Sequence, residues 1–137
     1  MITHNFETLF NLNDTSIISD WIHKVISNEG FETGEINFIF CDDDYLLKLN
    51  VAFLDHNTLT DIISFDYTMG NLISGDVYIS IPRVMENASI FNTSFQNELY
   101  RVIIHGILHY CGYKDKSEDE KLIMRSKEDE YLNVLIN

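Results

Sequence analysis

Apolar residues recur every three to four positions in "SIISDWIHKVISNEG", and that spacing predicts a helix. Ile18, Trp21, Ile22, Val25 and Ile26 form one face, Thr15 or Ser16 stands where a cap belongs, and Gly30 is placed to end it. Alternation replaces that period in "EINFIFC", which predicts a strand, and "ITHNFE" predicts an earlier one. "DDDYLLKLNVAFL" reads as a short helix with aspartates at its positive end. "TDIISFDY" and "GDVYISI" read as two strands of a hairpin joined by the glycine-containing loop "TMGNLIS". Pro82 stops the second strand and starts the helix "RVMENASIF". "TSFQNELYRVIIHGILHY" predicts a strongly apolar helix, with Ser94 as cap and Gly112 just past its end. "SEDEKLIMRSKEDEYLNVLI" predicts an amphipathic helix opened by a capping box of Ser117 and Glu120. Leu122, Ile123, Met124, Tyr131 and Leu135 are its expected apolar contacts. The order predicts an α/β (α+β) fold, with a small mixed β-sheet of about four strands packed with about five helices.

Composition narrows the class. The chain has 137 residues, one proline and six scattered glycines, so a single domain over 1–137 is expected. No stretch of about 18 apolar residues occurs, and no membrane association is expected. The N-terminal segment lacks the pattern of a secretory signal, and two cysteines make no disulfide framework, so the expected location is the cytoplasm. The net charge of −13 argues against coating nucleic acid by charge alone. Yet Arg101, Lys114, Lys116, Lys121, Arg125 and Lys127 gather near the C-terminal end, which leaves room for a local basic patch.

The candidate chemistry lies in "VIIHGILHYCGYKD". His105 and His109 at i and i+4 on a helix are about 40° apart around the axis and roughly 6 Å apart, so both imidazoles can meet one cation. Gly112 lets the chain turn, and Asp115 can return as a third ligand. Two imidazoles and one carboxylate with an open position match a catalytic zinc site at the end of a buried helix. Zinc proteases with a His-Glu-x-x-His helix use the glutamate as base, and Gly106 stands in its place. A glycine inside a helix costs up to about 1 kcal/mol relative to alanine. Close packing against Gly106, or a substrate there, is the expected reason.

These residues resemble the YbeY family of metal-dependent, single-strand-specific endoribonucleases of bacterial ribosomal RNA maturation. Its motif His-Gly-x-Leu-His-Leu-x-Gly-Tyr-Asp-His stands here as "HGILHYCGYKD", with His105, Gly106, Leu108, His109, Gly112 and Tyr113 matching. "TDIISFD" and "GDVYIS" resemble two upstream family segments, so the likeness runs from about Glu35 to Leu135. Three positions depart. Asp115 replaces the third histidine and lowers the charge of the site, Leu54 aligns with a family arginine, and Leu59 aligns with a proline. His56 is a candidate substitute for that arginine, beside the plainer reading of a solvated loop histidine.

The resemblance implies a zinc-dependent endoribonuclease with one Zn²⁺ on His105, His109 and Asp115, acting on single-stranded or ribosomal RNA, with the ribosome or its proteins as partners. Arg101, Lys114 and Lys116 are candidate phosphate contacts, with surface ion pairs as the alternative. Asp61, Ser64 and Asp76 are expected to make turn and strand-end hydrogen bonds before any chemistry. Two other functions fit the motif less closely. One is a zincin-like metallohydrolase acting on another substrate. The other is a non-enzymatic ribosome-associated factor with a structural zinc.

Overall fold

The structure is a computed structural model that describes residues 1–8, 10, 12, 14–54 and 59–136. Four strands, β1 (Ile2–Phe6), β2 (Glu32–Cys41), β3 (Ile62–Asp66) and β4 (Leu72–Ser80), form one sheet in the order β1-β2-β4-β3. β1 and β4 both run parallel to β2, and β3 pairs antiparallel with β4 through the expected hairpin. Five helices complete the fold: α1 (Thr15–Asn28), α2 (Asp43–Leu54), α3 (Ile81–Ile90), α4 (Phe95–Tyr110) and α5 (Glu118–Ile136). The expected mixed sheet with five helices is therefore present.

Local chemistry explains most boundaries. Ser80 caps α3 by accepting from Arg83 N, with Pro82 in the first turn. Ser94 caps α4 by accepting from Asn97 N at 3.1 Å. At α5, Ser117 Oγ accepts from Glu120 N at 3.1 Å and Glu120 Oε1 accepts from Ser117 N at 2.9 Å, which is the reciprocal capping box. Helix α1 differs from its expectation. Asp14 precedes it in the left-handed region with φ 59°, no side chain caps it, and Thr15 is already helical. The hairpin also differs, because β4 begins at Leu72 and takes in residues expected in the loop.

The expected α1 face of Ile18, Trp21, Ile22, Val25 and Ile26 is fully buried. On α5 the helical phase differs from expectation. Met124, Tyr131 and Leu132 face the core, whereas Leu122 and Ile123 are 69% and 54% exposed. Five apolar residues over that span cannot share one stripe, and the stripe through 124, 131 and 135 wins.

Helix α4 sits in the middle of the packing, touching α1, α3, α5 and the β3–β4 hairpin. Leu99, Val102, Ile103, Ile104, Ile107 and Leu108 are all buried on it. Gly106 faces the sheet. A Cβ there would lie 3.0 Å from Ile62 Cδ1 and 3.5 Å from Val77 Cγ1. Glycine thus allows α4 to approach the sheet closely, and position 106 does not point at the histidines' ligand atoms. At the end of α4, Tyr110 Oη lies 3.0 Å from Phe65 O and 3.2 Å from Asp76 O, sharing one proton between two strand carbonyls. Gly75 makes room for that hydroxyl, because a Cβ there would run into Phe65 O and Tyr110 Oη. Gly75→Ala is expected to cost about 2 kcal/mol or more, read from urea unfolding midpoints, since a backbone carbonyl cannot move aside cheaply.

Candidate metal centre

The end of α4 builds the site. Gly112 has φ +102°, and its N–H donates to His109 O while Tyr113 N–H donates to Leu108 O, which together form a Schellman ending. The reversed chain brings Asp115 over the last helical turns. His105 Nε2 and His109 Nε2 then lie 3.0 Å apart, and Asp115 Oδ2 lies 3.2 and 3.3 Å from them. Among the described residues this is the cluster whose ligand atoms converge for a metal.

The donor set fits a cation. His109 Nδ1 is 2.9 Å from Tyr113 O, and a carbonyl can only accept, so the hydrogen sits on Nδ1 and Nε2 carries a lone pair. His105 Nδ1 is 2.7 Å from Glu128 Oε2, which orients that ring in the same way. Two imidazole lone pairs and a carboxylate oxygen therefore face one another within hydrogen-bond distance. Such a group repels itself unless a proton or a cation sits between its members. Tetrahedral zinc with bonds of about 2.0–2.1 Å requires ligand atoms about 3.3–3.4 Å apart, close to the observed triangle.

Glu128 is the main support behind the ligands. Its side chain is 6% exposed, and it accepts from Arg101 Nη1 at 2.9 Å as well as from His105. Burial disfavours its charge, yet the hydrogen bonds and charges of His105 and Arg101 outweigh that and lower its pKa. Burial likewise disfavours charge on His105. The Glu128 hydrogen bond and charge, followed by Asp115 and Asp61, outweigh it and raise the pKa of the metal-free histidine. Metal and proton compete for the same nitrogen. Zinc affinity is therefore expected to weaken as pH falls, with protons beginning to compete at a higher pH than for an ordinary histidine, as followed by a zinc-sensitive dye.

The Endoribonuclease YbeY family model matches residues 3–136. The chain belongs to this family. It is 60% identical to Endoribonuclease YbeY of Flavobacterium johnsoniae, over 95% of this chain and 94% of the relative. It is 55% identical to Endoribonuclease YbeY of Flavobacterium psychrophilum, over 98% of this chain and 96% of the relative. A solution structure of a Thermotoga maritima protein superposes with a TM-score of 0.70 at 26% identity, over 98% of this chain and 89% of that one.

In this YbeY chain the three expected metal ligands come together, while the expected phosphate contacts do not. Arg101 lines a cleft beside His105, but its guanidinium is held by Glu128 and, at 2.7 Å, by Asp129. Lys114 and Lys116 are exposed and line neither of the two cavities next to His105. Arg125, unremarked as a phosphate contact in the sequence, lines both cavities. It is 59% exposed, with one long contact of 3.6 Å to Glu128. Lys121 joins it on the Asp115 side, one helical turn earlier. Asp61 accepts from Asn87 and also lines the cleft, while Asp76 accepts from Asn37 at 3.0 Å. Leu54 and Leu59, at the departures from the family pattern, are about half exposed and line a separate hollow. His56 lies outside the described residues. Cys41 and Cys111 are both free, and burial pushes each thiol up to about 12.

Proposed function

We propose that this chain, acting as one domain over 1–137, is a zinc-dependent endonuclease that hydrolyses phosphodiester bonds in single-stranded RNA during ribosomal RNA processing and quality control. The observation that carries the reading is the triangle of His105 Nε2, His109 Nε2 and Asp115 Oδ2, with both Nδ1 atoms already committed elsewhere. Three ligands and no fourth among the described residues correspond to a catalytic rather than a closed structural site. A divalent ion held there supplies Lewis-acid activation of water and offsets charge developing on a phosphoryl oxygen.

The side chains divide the remaining work. Tyr113 O and Glu128 fix both imidazoles in the tautomer that presents Nε2. Arg125 and Lys121 offer positive charge to the strand beside Asp115, where Arg101 is already neutralised. No helix among the described residues is long and apolar enough to cross a membrane. A chain at −13 can reach ribosomal RNA through a basic ribosomal protein rather than by its own field.

Purified protein should carry about one zinc and cleave single-stranded RNA, with no cleavage of a peptide library. Peptide cleavage that vanished on chelation would replace the reading. Arg125→Ala is expected to raise KM for RNA about fivefold with little change in bound zinc, and to flatten the salt dependence of kcat/KM.

A further inference from the structure

The cleft beside His105 has a chemistry that the metal triangle does not use. Its volume is about 290 Å³, at the lower edge of the range for small-ligand pockets. Ile62 and Val102 give it apolar wall, and Asp61, Glu98 and Glu128 give it carboxyl groups. Glu128 is committed to Arg101 and His105, and Asp61 accepts from Asn87 at 3.4 Å. Glu98 differs from both. It is only 5% exposed, yet among the described residues nothing donates a hydrogen bond to its carboxylate. Burial raises its pKa and the charge of Asp61 adds to the rise, against the pull of Arg101 and Arg125. The Glu98 oxygens are not sealed off, since among the described residues the buried side-chain polar atom without a partner is His4 Nε2, and the space that Glu98 lines is the cleft.

The carboxyl groups select what can enter. A phosphate would meet three of them, with Arg101 already paired and Arg125 at the cleft as the cation with the weakest ties, so the carboxyl groups outnumber the available positive charge. A planar ring with N–H donors fits better, since Ile62 and Val102 offer apolar contact and Glu98 an acceptor in the same cleft. Unstacked bases of single strands are read on such edges. Guanine alone of the four RNA bases presents two adjacent donors, N1–H and N2–H, matching the two oxygens of one carboxylate.

We infer that this cleft is a guanine subsite beside the metal centre, in which Glu98 accepts from N1–H and N2–H of a base flanking the scissile bond. The inference rests on the RNA reading above. It is tested with single-stranded uridine oligonucleotides carrying one central guanosine, inosine or adenosine, cleaved by zinc-loaded wild type, Glu98→Gln and Glu98→Asp. Inosine keeps N1–H and lacks the 2-amino group. Wild type is expected to favour guanosine over inosine about tenfold in kcat/KM, and adenosine less still. Glu98→Gln should bring that ratio close to one, and Glu98→Asp should keep part of it. The ratio is internal to each protein, so a general loss of fold or metal cancels. Equal wild-type rates on the three strands, or an unchanged ratio in Glu98→Gln, overturn the guanine subsite and leave the nuclease reading standing. Wild type that cleaves none of them overturns both. Should Glu98→Gln not fold, the wild-type guanosine-to-inosine ratio decides alone.

Discussion

Replacing His109 with alanine is expected to empty the metal site and to lower single-stranded RNA cleavage at least about a thousandfold. The ligand is lost outright, because His109 Nε2 is one corner of the triangle and no other described group stands ready to replace it. Metal assistance is worth several kcal/mol in the transition state, and each 1.36 kcal/mol is tenfold in rate. Fold stability should change much less, since His109 is about one-third exposed and its removal leaves the α4 core untouched. Metal analysis by mass spectrometry, alongside the cleavage assay, separates the two effects. If metal content and cleavage both survived the change, the ligand assignment would be wrong. Asp115→Ala should fall in the same direction but less far, because its part-exposed carboxylate can be replaced by solvent.

The second large effect is expected at Glu128. Glu128→Ala removes the acceptor for both His105 Nδ1 and Arg101 Nη1, leaving a largely buried guanidinium with only Asp129. Breaking one side of such a buried pair costs about 3 kcal/mol. Metal affinity should also fall about 10- to 100-fold, because the His105 ring loses the partner that orients it. Denaturant unfolding of metal-free protein reads the first cost, and competition with a chelating dye reads the second. Glu128→Gln is the control, since it can still accept from His105 Nδ1 while losing the charge. It should recover more of the metal affinity than of the stability. Equal behaviour of the two variants in both assays would sink this division of roles.

A milder pH effect is expected away from the metal. Glu29 accepts from Tyr113 Oη at 2.6 Å and from Tyr131 Oη, and its other close charge is Lys127 at 3.4 Å. Burial disfavours its charge, but the two tyrosines and Lys127 outweigh that and lower its pKa. A lowered carboxylate pKa adds stability above the ordinary glutamate value, and that stability is lost as pH falls through the folded-state value. Glu29→Gln should therefore unfold more easily than wild type near pH 7, with the gap closing as pH falls below the ordinary glutamate value and through the lower folded-state one. A gap that widened in acid would contradict this assignment.

Much of this was legible in sequence because it is local. The i,i+4 histidines, the glycine turn and the capping box of α5 each depend on residues within one or two helical turns. The His-Gly-x-Leu-His segment pointed to the metal and the family for the same reason. What stayed hidden depends on how helices pack. Glu128 lies 23 residues beyond His105, and only the phase of α5 against α4 brings the two together. That same phase turns Leu122 and Ile123 outward, contrary to expectation, and turns Arg125 toward the site. Arg101 looked available because its two carboxylate partners are on another helix. Gly106 looked like a missing base because the sheet that it accommodates is far away in the chain.

The position of Glu128 also ties two helices to one ion. His105, His109 and Asp115 lie on α4 and the turn after it, whereas the carboxylate that orients His105 lies on α5. Whatever loosens α5 from α4 therefore frees one imidazole to turn and takes from Arg101 both of its carboxylate partners.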